Sequence, residues 1–281
     1  MERRNFFKNA GLFGLGATLL GPMDVFSQES GLEKKKFNKK ARNIIFMVSD
    51  GMSIGTLNMA DLYLKRTTGK GTNWLNLYRE NKVSRGLMDM ASASSIVTDS
   101  AAASSSWGGG HRVENGKLNF GTNGEVYTPI WQKFKKAGKK AGCVTTVPIT
   151  HATPAGFLVS SKSRGSMEDI AEMYLEQKFD VLMGGGHEVF APDKRKDAKD
   201  MYLNFENGGY QVVKNRTDLL KTTTGKPVLG VFHEDGLPYT IDRNSSPELQ
   251  ERIPTLAEMT YKAIEHMQSH SEGFVLQVEG G

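Results

Sequence analysis

Four stretches of this 281-residue chain carry residue types that could do chemistry together. The first is 96–106, where a β-branched lead-in reaches Asp99-Ser100 and small residues follow at once. This pattern predicts a helix with a hydroxyl in its first turn, facing unsatisfied backbone N–H groups and the positive end of the helix dipole. Such a place favours an oxyanion or a phosphate group. Asp99 would equally cap an ordinary Ser-rich turn, so the reading depends on what surrounds it. Two of the other stretches are apolar runs, 43–48 and 274–278, which end in Ser49-Asp50-Gly51-Met52 and in Glu279-Gly280-Gly281. Each predicts a buried parallel strand that delivers a carboxylate into a turn, at the strand end where open α/β sheets place their ligands. The last is Thr150-His151-Ala152-Thr153-Pro154-Ala155-Gly156, with Arg164 further on. The set offers hard oxygen donors, a candidate nucleophile in Ser100 and one guanidinium. Each member also has a plain structural reading: turn chemistry for Asp50, an extended residue before proline for Thr153, a surface arginine for Arg164 and a strand end for Glu279.

The elements that must position these residues alternate along the chain. Strands are expected at 43–48, 142–147, 181–183, 210–213, 228–232 and 274–278, and helices at 54–65, 128–137, 167–177 and 255–267. Strand and helix in alternation predict an α/β fold, a mainly parallel central sheet with helices on both faces. No internal repeat or linker interrupts 42–281.

Residues 1–30 read as an export signal. Arg3-Arg4 precedes a short, Gly-rich apolar stretch that is too brief to span a bilayer, and paired arginines followed by Phe suggest the twin-arginine route. The expected location is therefore periplasmic or secreted, with no stable membrane span. A basic linker, 31–42, follows. The net charge of +5 arises in residues 1–42, which hold nine basic and four acidic side chains and leave 27 of each in the remainder. The basic balance consequently gives no support to a nucleic-acid-binding face. The single cysteine, Cys143, excludes an intrachain disulfide and reads as a small buried hydrophobe. Among the histidines, His266 and His270 are placed favourably near a helix C-terminus, while His111, His187 and His233 lie in Gly-rich or loop contexts and read as structural or solvent-facing.

Taken in order, Ser49-Asp50-Gly51-Met52, Val97-Thr98-Asp99-Ser100-Ala101-Ala102, His151-Ala152-Thr153-Pro154-Ala155-Gly156, Arg164, Gly184-Gly185-Gly186 and Gln277-Val278-Glu279-Gly280 resemble the alkaline phosphatase family over roughly 42–281. The resemblance implies hydrolysis of small phosphate monoesters at a Zn2+ and Mg2+ site. It implies that Ser100 is the nucleophile of a phosphoserine intermediate with its alkoxide on zinc, that Asp50 bridges zinc and magnesium, that Thr153 and Glu279 bind magnesium, and that Arg164 clamps the phosphate. His151 would coordinate a metal directly or hold an outer-shell water, which leaves the third metal open between Mg2+ and Zn2+. A homodimer is implied by the same analogy. Further Asp and His ligands are expected beyond Gly281, so the chain reads as the N-terminal part of a catalytic domain, with the fold incomplete and no activity expected of this stretch alone. A related phosphodiesterase or sulfatase, or a non-catalytic secreted fragment that binds metal or phosphate, is the alternative. A serine acyl hydrolase would want Gly-x-Ser-x-Gly, which the Ser100 segment lacks.

Overall fold

Six of the apolar runs become strands: β1 (Ile44–Ser49), β2 (Lys140–Pro148), β3 (Val181–Gly185), β4 (Gln211–Val213), β5 (Val228–Val231) and β6 (Phe274–Gly280). The structure is a computed structural model and describes residues 40–281. The expected export signal, and all but the last residues of the basic linker, lie outside the described residues. The strands form one sheet in the order β1-β6-β2-β3-β5-β4, and every neighbouring pair is parallel. The anticipated α/β architecture is what the sequence folds into.

Alternation along the strands sends side chains to two separate cores. Cys143, Leu182 and Leu229 join a core with Trp131, Phe157, Tyr174 and Phe205. Val144, Met183 and Val228 join a second core with Met259, Ala263 and Met267 of the helix Leu256–Met267. A strand apolar on both faces needs both layers, which is why β2, β3 and β5 read as nearly continuous hydrophobic runs. Burial pushes the Cys143 thiol well above its ordinary pKa, as befits an inert core residue.

Strand β1 is different. Its residues alternate between half-buried and exposed, and Ile45 and Met47 present 42% and 69% of their surface to solvent. The helix Ile54–Thr68, one turn longer than the expected 54–65, is capped by Ser53 and closed by left-handed Gly69, and it also leaves Met59, Leu62 and Tyr63 exposed. Among the described residues no helix is long and apolar enough to cross a membrane.

Two short helices set the geometry of the C-terminal edge of the sheet. Ser100–Gly108 and Ala152–Leu158 pack almost backbone to backbone: a Cβ on Gly156 would lie 2.1 Å from Ser104 Oγ. A Cβ on Gly108 would lie 2.2 Å from the Gly156 carbonyl. Ser104 Oγ spans the gap by donating to the Ala152 carbonyl at 2.9 Å. Small residues let the two helices approach this closely, so both of their N-termini reach the same end of the sheet.

Candidate active site

Asp50 directly follows β1, and its backbone N–H donates to the Gly280 carbonyl of β6 at 2.9 Å. The chain then reverses at Gly51, whose φ of 63° a residue with a Cβ would adopt only under strain. Ser100 is the first residue of its helix, and its hydroxyl donates to Asp50 Oδ2 at 2.8 Å. The Thr153 hydroxyl, one residue inside the neighbouring helix and buried, stands 3.4 Å from the same oxygen. These three residues lie far apart in sequence, and the sheet brings them together.

Glu279 completes the group from β6. It is fully buried and accepts from the Thr145 hydroxyl at 2.6 Å, across a register in which Thr145 and Glu279 are direct partners on β2 and β6. Its other oxygen, Oε1, is buried without a partner. Loss of water around the carboxylate pushes its pKa up to about 7; Asp50 adds to the rise, while the Thr145 and Thr153 hydroxyls and Arg164 oppose it. The carboxylate is therefore neither a frayed strand end nor a solvated charge.

Arg164 is held by two partners beside this group. It donates from Nη1 to Asp99 Oδ2 at 3.1 Å and from Nη2 to His151 Nε2 at 2.9 Å. A guanidinium can only donate, so His151 Nε2 accepts and the proton of the neutral ring sits on Nδ1, which is buried without a partner. Burial, and then the Arg164 charge, lower the His151 pKa, with Asp50 and Asp235 opposing. Asp99 does two jobs: Oδ1 accepts from the Ala102 N–H and caps the Ser100 helix, while Oδ2 accepts from Gly116 N–H and from Arg164.

Every expected site residue lies at this one edge of the sheet. Asp50, Ser100, Thr153 and Glu279 form an oxygen-lined group, and Arg164 with His151 stands alongside. Thr145 and the Arg164-holding role of Asp99 were not visible in the sequence. The register of β2 against β6 reveals the first; nothing local reveals the second. Among the described residues no three His, Cys, Asp or Glu side chains converge closely enough to hold a metal. The donors present are two carboxylates and two hydroxyls, and the unpartnered Glu279 Oε1 suits a hard cation such as Mg2+ better than Zn2+. The imidazole beside this group, His151, has its Nε2 engaged by Arg164.

A parallel sheet that gathers a helix-start serine and two carboxylates at its C-terminal edge defines the class: an α/β protein with a serine–carboxylate site. The alkaline phosphatase family model matches residues 41–281, and the chain belongs to that family. It is 34% identical to alkaline phosphatase 3 of Bacillus subtilis over 260 residues, covering 90% of this chain and 54% of that protein. It is 29% identical to the alkaline phosphatase of Escherichia coli over 296 residues, covering 90% of this chain and 63% of that one. The crystal structure of Thermus thermophilus alkaline phosphatase superposes with a TM-score of 0.79 at 38% identity, over 86% of this chain and 50% of that one. The chain thus spans between about half and two thirds of the length of these relatives.

Proposed function

We propose that the protein hydrolyses phosphate monoesters to an alcohol and inorganic phosphate, with Ser100 as the nucleophile of a phosphoserine intermediate. The observation that carries this reading is the 2.8 Å bond from the Ser100 hydroxyl to Asp50 at the start of a helix. That bond aims the hydroxyl at a carboxylate that favours its proton leaving, while the helix N-terminus favours the resulting negative charge. Attack of the Ser100 oxygen on phosphorus breaks the ester P–O bond and releases the alcohol. Water then cleaves the Ser100 phosphate and restores the hydroxyl. The Arg164 fork matches two phosphoryl oxygens, and Asp99 and His151 hold it beside Ser100 until the substrate competes for its donors.

Asp50, Thr153 and Glu279 would hold a hard divalent cation of the Mg2+ type, which supplies charge neutralisation at the phosphoryl group when bound. For Zn2+ the described residues offer Asp50 and the Ser100 oxygen, short of the four donors, usually including imidazole, of a tight site. His151 joins either set only by exchanging its Arg164 bond. Small phosphate monoesters are the substrate class, a homodimer is the assembly suggested by family analogy, and export through the twin-arginine route is the reading of Arg3-Arg4.

Incubation of the chain, carried on to the full length of its relatives, with Mg2+, Zn2+ and radiolabelled phosphate, quenched in acid and followed by peptide mapping, tests the central claim. The label is expected on Ser100 and absent from Ser100→Ala. Label on a different residue, or p-nitrophenyl phosphate turnover that survives in Ser100→Ala, overturns the assignment.

A further inference from the structure

A second cluster of charged side chains lies on the same edge of the sheet, away from Ser100. Three neighbouring strands end there: β3 runs into His187, β4 into Lys214, and β5 into Phe232 and His233. With Glu234 and Arg252 these residues line a cavity of about 250 Å³. Strands in a sheet are spaced by about 4.8 Å, so β5, three steps from β6, sets this cavity on the order of 14 Å from the Glu279 strand.

The cavity is built rather than incidental. The buried Tyr202 braces two of its walls: its hydroxyl bonds His187 Nδ1 at 2.7 Å, and Lys214 Nζ sits 3.8 Å from its ring centroid. The His187 ring nitrogen left over is Nε2. The His233 carbonyl accepts from both the Gly186 and the His187 N–H at 3.0 Å, which ties the tips of β3 and β5 together. His233 Nδ1 is buried without a partner. Lys214 has no carboxylate within ion-pair distance among the described residues, and Arg252 pairs only with the exposed Glu248, an arrangement worth little in water. Lys214 and Arg252 thus line the cavity with one acid, Glu234, while Asp218 and Glu251 line the neighbouring cavity that the two cations also border, and the buried Phe232 keeps part of the wall apolar. The donor set is wrong for a cation: no metal-binding trio of His, Cys, Asp or Glu occurs among the described residues.

We propose that this pocket is a second anion site, which takes a phosphate-type oxyanion between Lys214 and Arg252 with the imidazoles of His187 and His233 as further donors. A point charge and a planar fork lining one cavity suit a tetrahedral dianion, and the volume admits one phosphate with a small substituent. Glu234 at the rim would accept from a hydroxyl of the ligand and disfavour a second phosphate. The site neither needs nor supplies the Ser100 chemistry.

The test follows the His187 and His233 ring signals by NMR of the histidine-labelled protein during titration with inorganic phosphate. Chloride at matched ionic strength is the control, and phenylphosphonate, whose P–C bond replaces the ester linkage, serves as a monoester analogue that cannot turn over. A saturable shift of both rings with phosphate but not chloride is expected. It should persist in Arg164→Ala and weaken at least tenfold in the double variant Lys214→Gln with Arg252→Gln, whose melting temperature verifies the fold. Equal saturation by phenylphosphonate assigns the site to the phosphate end of esters, and saturation by phosphate alone assigns it to the free ion. Absence of a saturable shift, or identical titrations in the double variant, overturns the proposal. Loss of the shift in Arg164→Ala overturns it as well, because the site would then be the one beside Ser100.

Discussion

At the scale of the residue, Glu279 is where electrostatics and burial conflict most. Its folded pKa of about 7 lies above the ordinary value of 4.5, so the folded protein holds a proton that the unfolded chain releases between those two values. Stability contributed by the protonated form is complete below pH 4.5 and is lost as pH rises through 7, in total about 3 kcal/mol at 1.4 kcal/mol per unit. Metal-free Glu279→Gln should therefore match the parent near pH 5 and melt higher than it at pH 8. Superimposable stability curves for the two proteins at both pH values would show that the carboxylate is better solvated than its burial implies. The sequence placed Glu279 at a strand tip but could not show its setting, because the Thr145 bond and the exclusion of water come from a strand 134 residues away. Arg164 is similar. The family resemblance implied a phosphate clamp, whereas its partners Asp99 and His151 belong to different elements that only the fold brings within reach.

At the scale of the element, the approach of two helices decides where the Ser100 hydroxyl points. Gly156→Ala would drive a methyl group into Ser104 Oγ and force the Ser100–Gly108 helix outward. Overpacking of this kind costs about 1–3 kcal/mol. The variant is expected to lose that much stability in urea and to bind phosphate beside Ser100 more weakly. A parent-like midpoint would mean that the helices separate without cost. The long, strongly patterned elements were legible: Met167–Glu176 and Leu256–Met267 appear within a residue of their expected limits, the second opened by a capping box of Thr255 and Glu258. The helices Asn73–Arg79, Met201–Asn207 and Arg216–Lys221 were not legible. Each is two turns or fewer, too short for a 3.6-residue period to declare itself; Met201–Asn207 and Arg216–Lys221 bury residues against the core, while Asn73–Arg79 buries none and is opened by its Thr72 cap. Strand β2 begins earlier than expected, at Lys140, because pairing with Phe274 extends the ladder where the side-chain pattern gives no hint. His266 also departs from the simple picture of a charge near a helix end. It is buried, and its Nε2 bonds the Thr222 hydroxyl at 3.0 Å.

For the whole molecule, the sheet is covered on both faces except along β1, where Met47 and Ile45 stand in water on an edge strand. An exposed apolar edge invites pairing with another chain. Met47→Lys should raise the concentration at which the protein self-associates, read by light scattering, while a surface change of this kind leaves stability within about 0.5 kcal/mol. Unchanged association would move the sticky surface to the helix Ile54–Thr68. The fold class was legible because alternating strands and helices admit few topologies, but the strand order was not, since nothing in the β1 sequence names β6 as its neighbour. That pairing also sets a timetable. Asn43 and Phe274, joined by a hydrogen bond, are 231 residues apart. At a synthesis rate of about 5–20 residues per second, β1 leaves the ribosome on the order of ten seconds or more before β6 exists to receive it. Asp50 and Glu279 can therefore meet only once β6 has emerged, and β1 waits through the synthesis of all that lies between for its place.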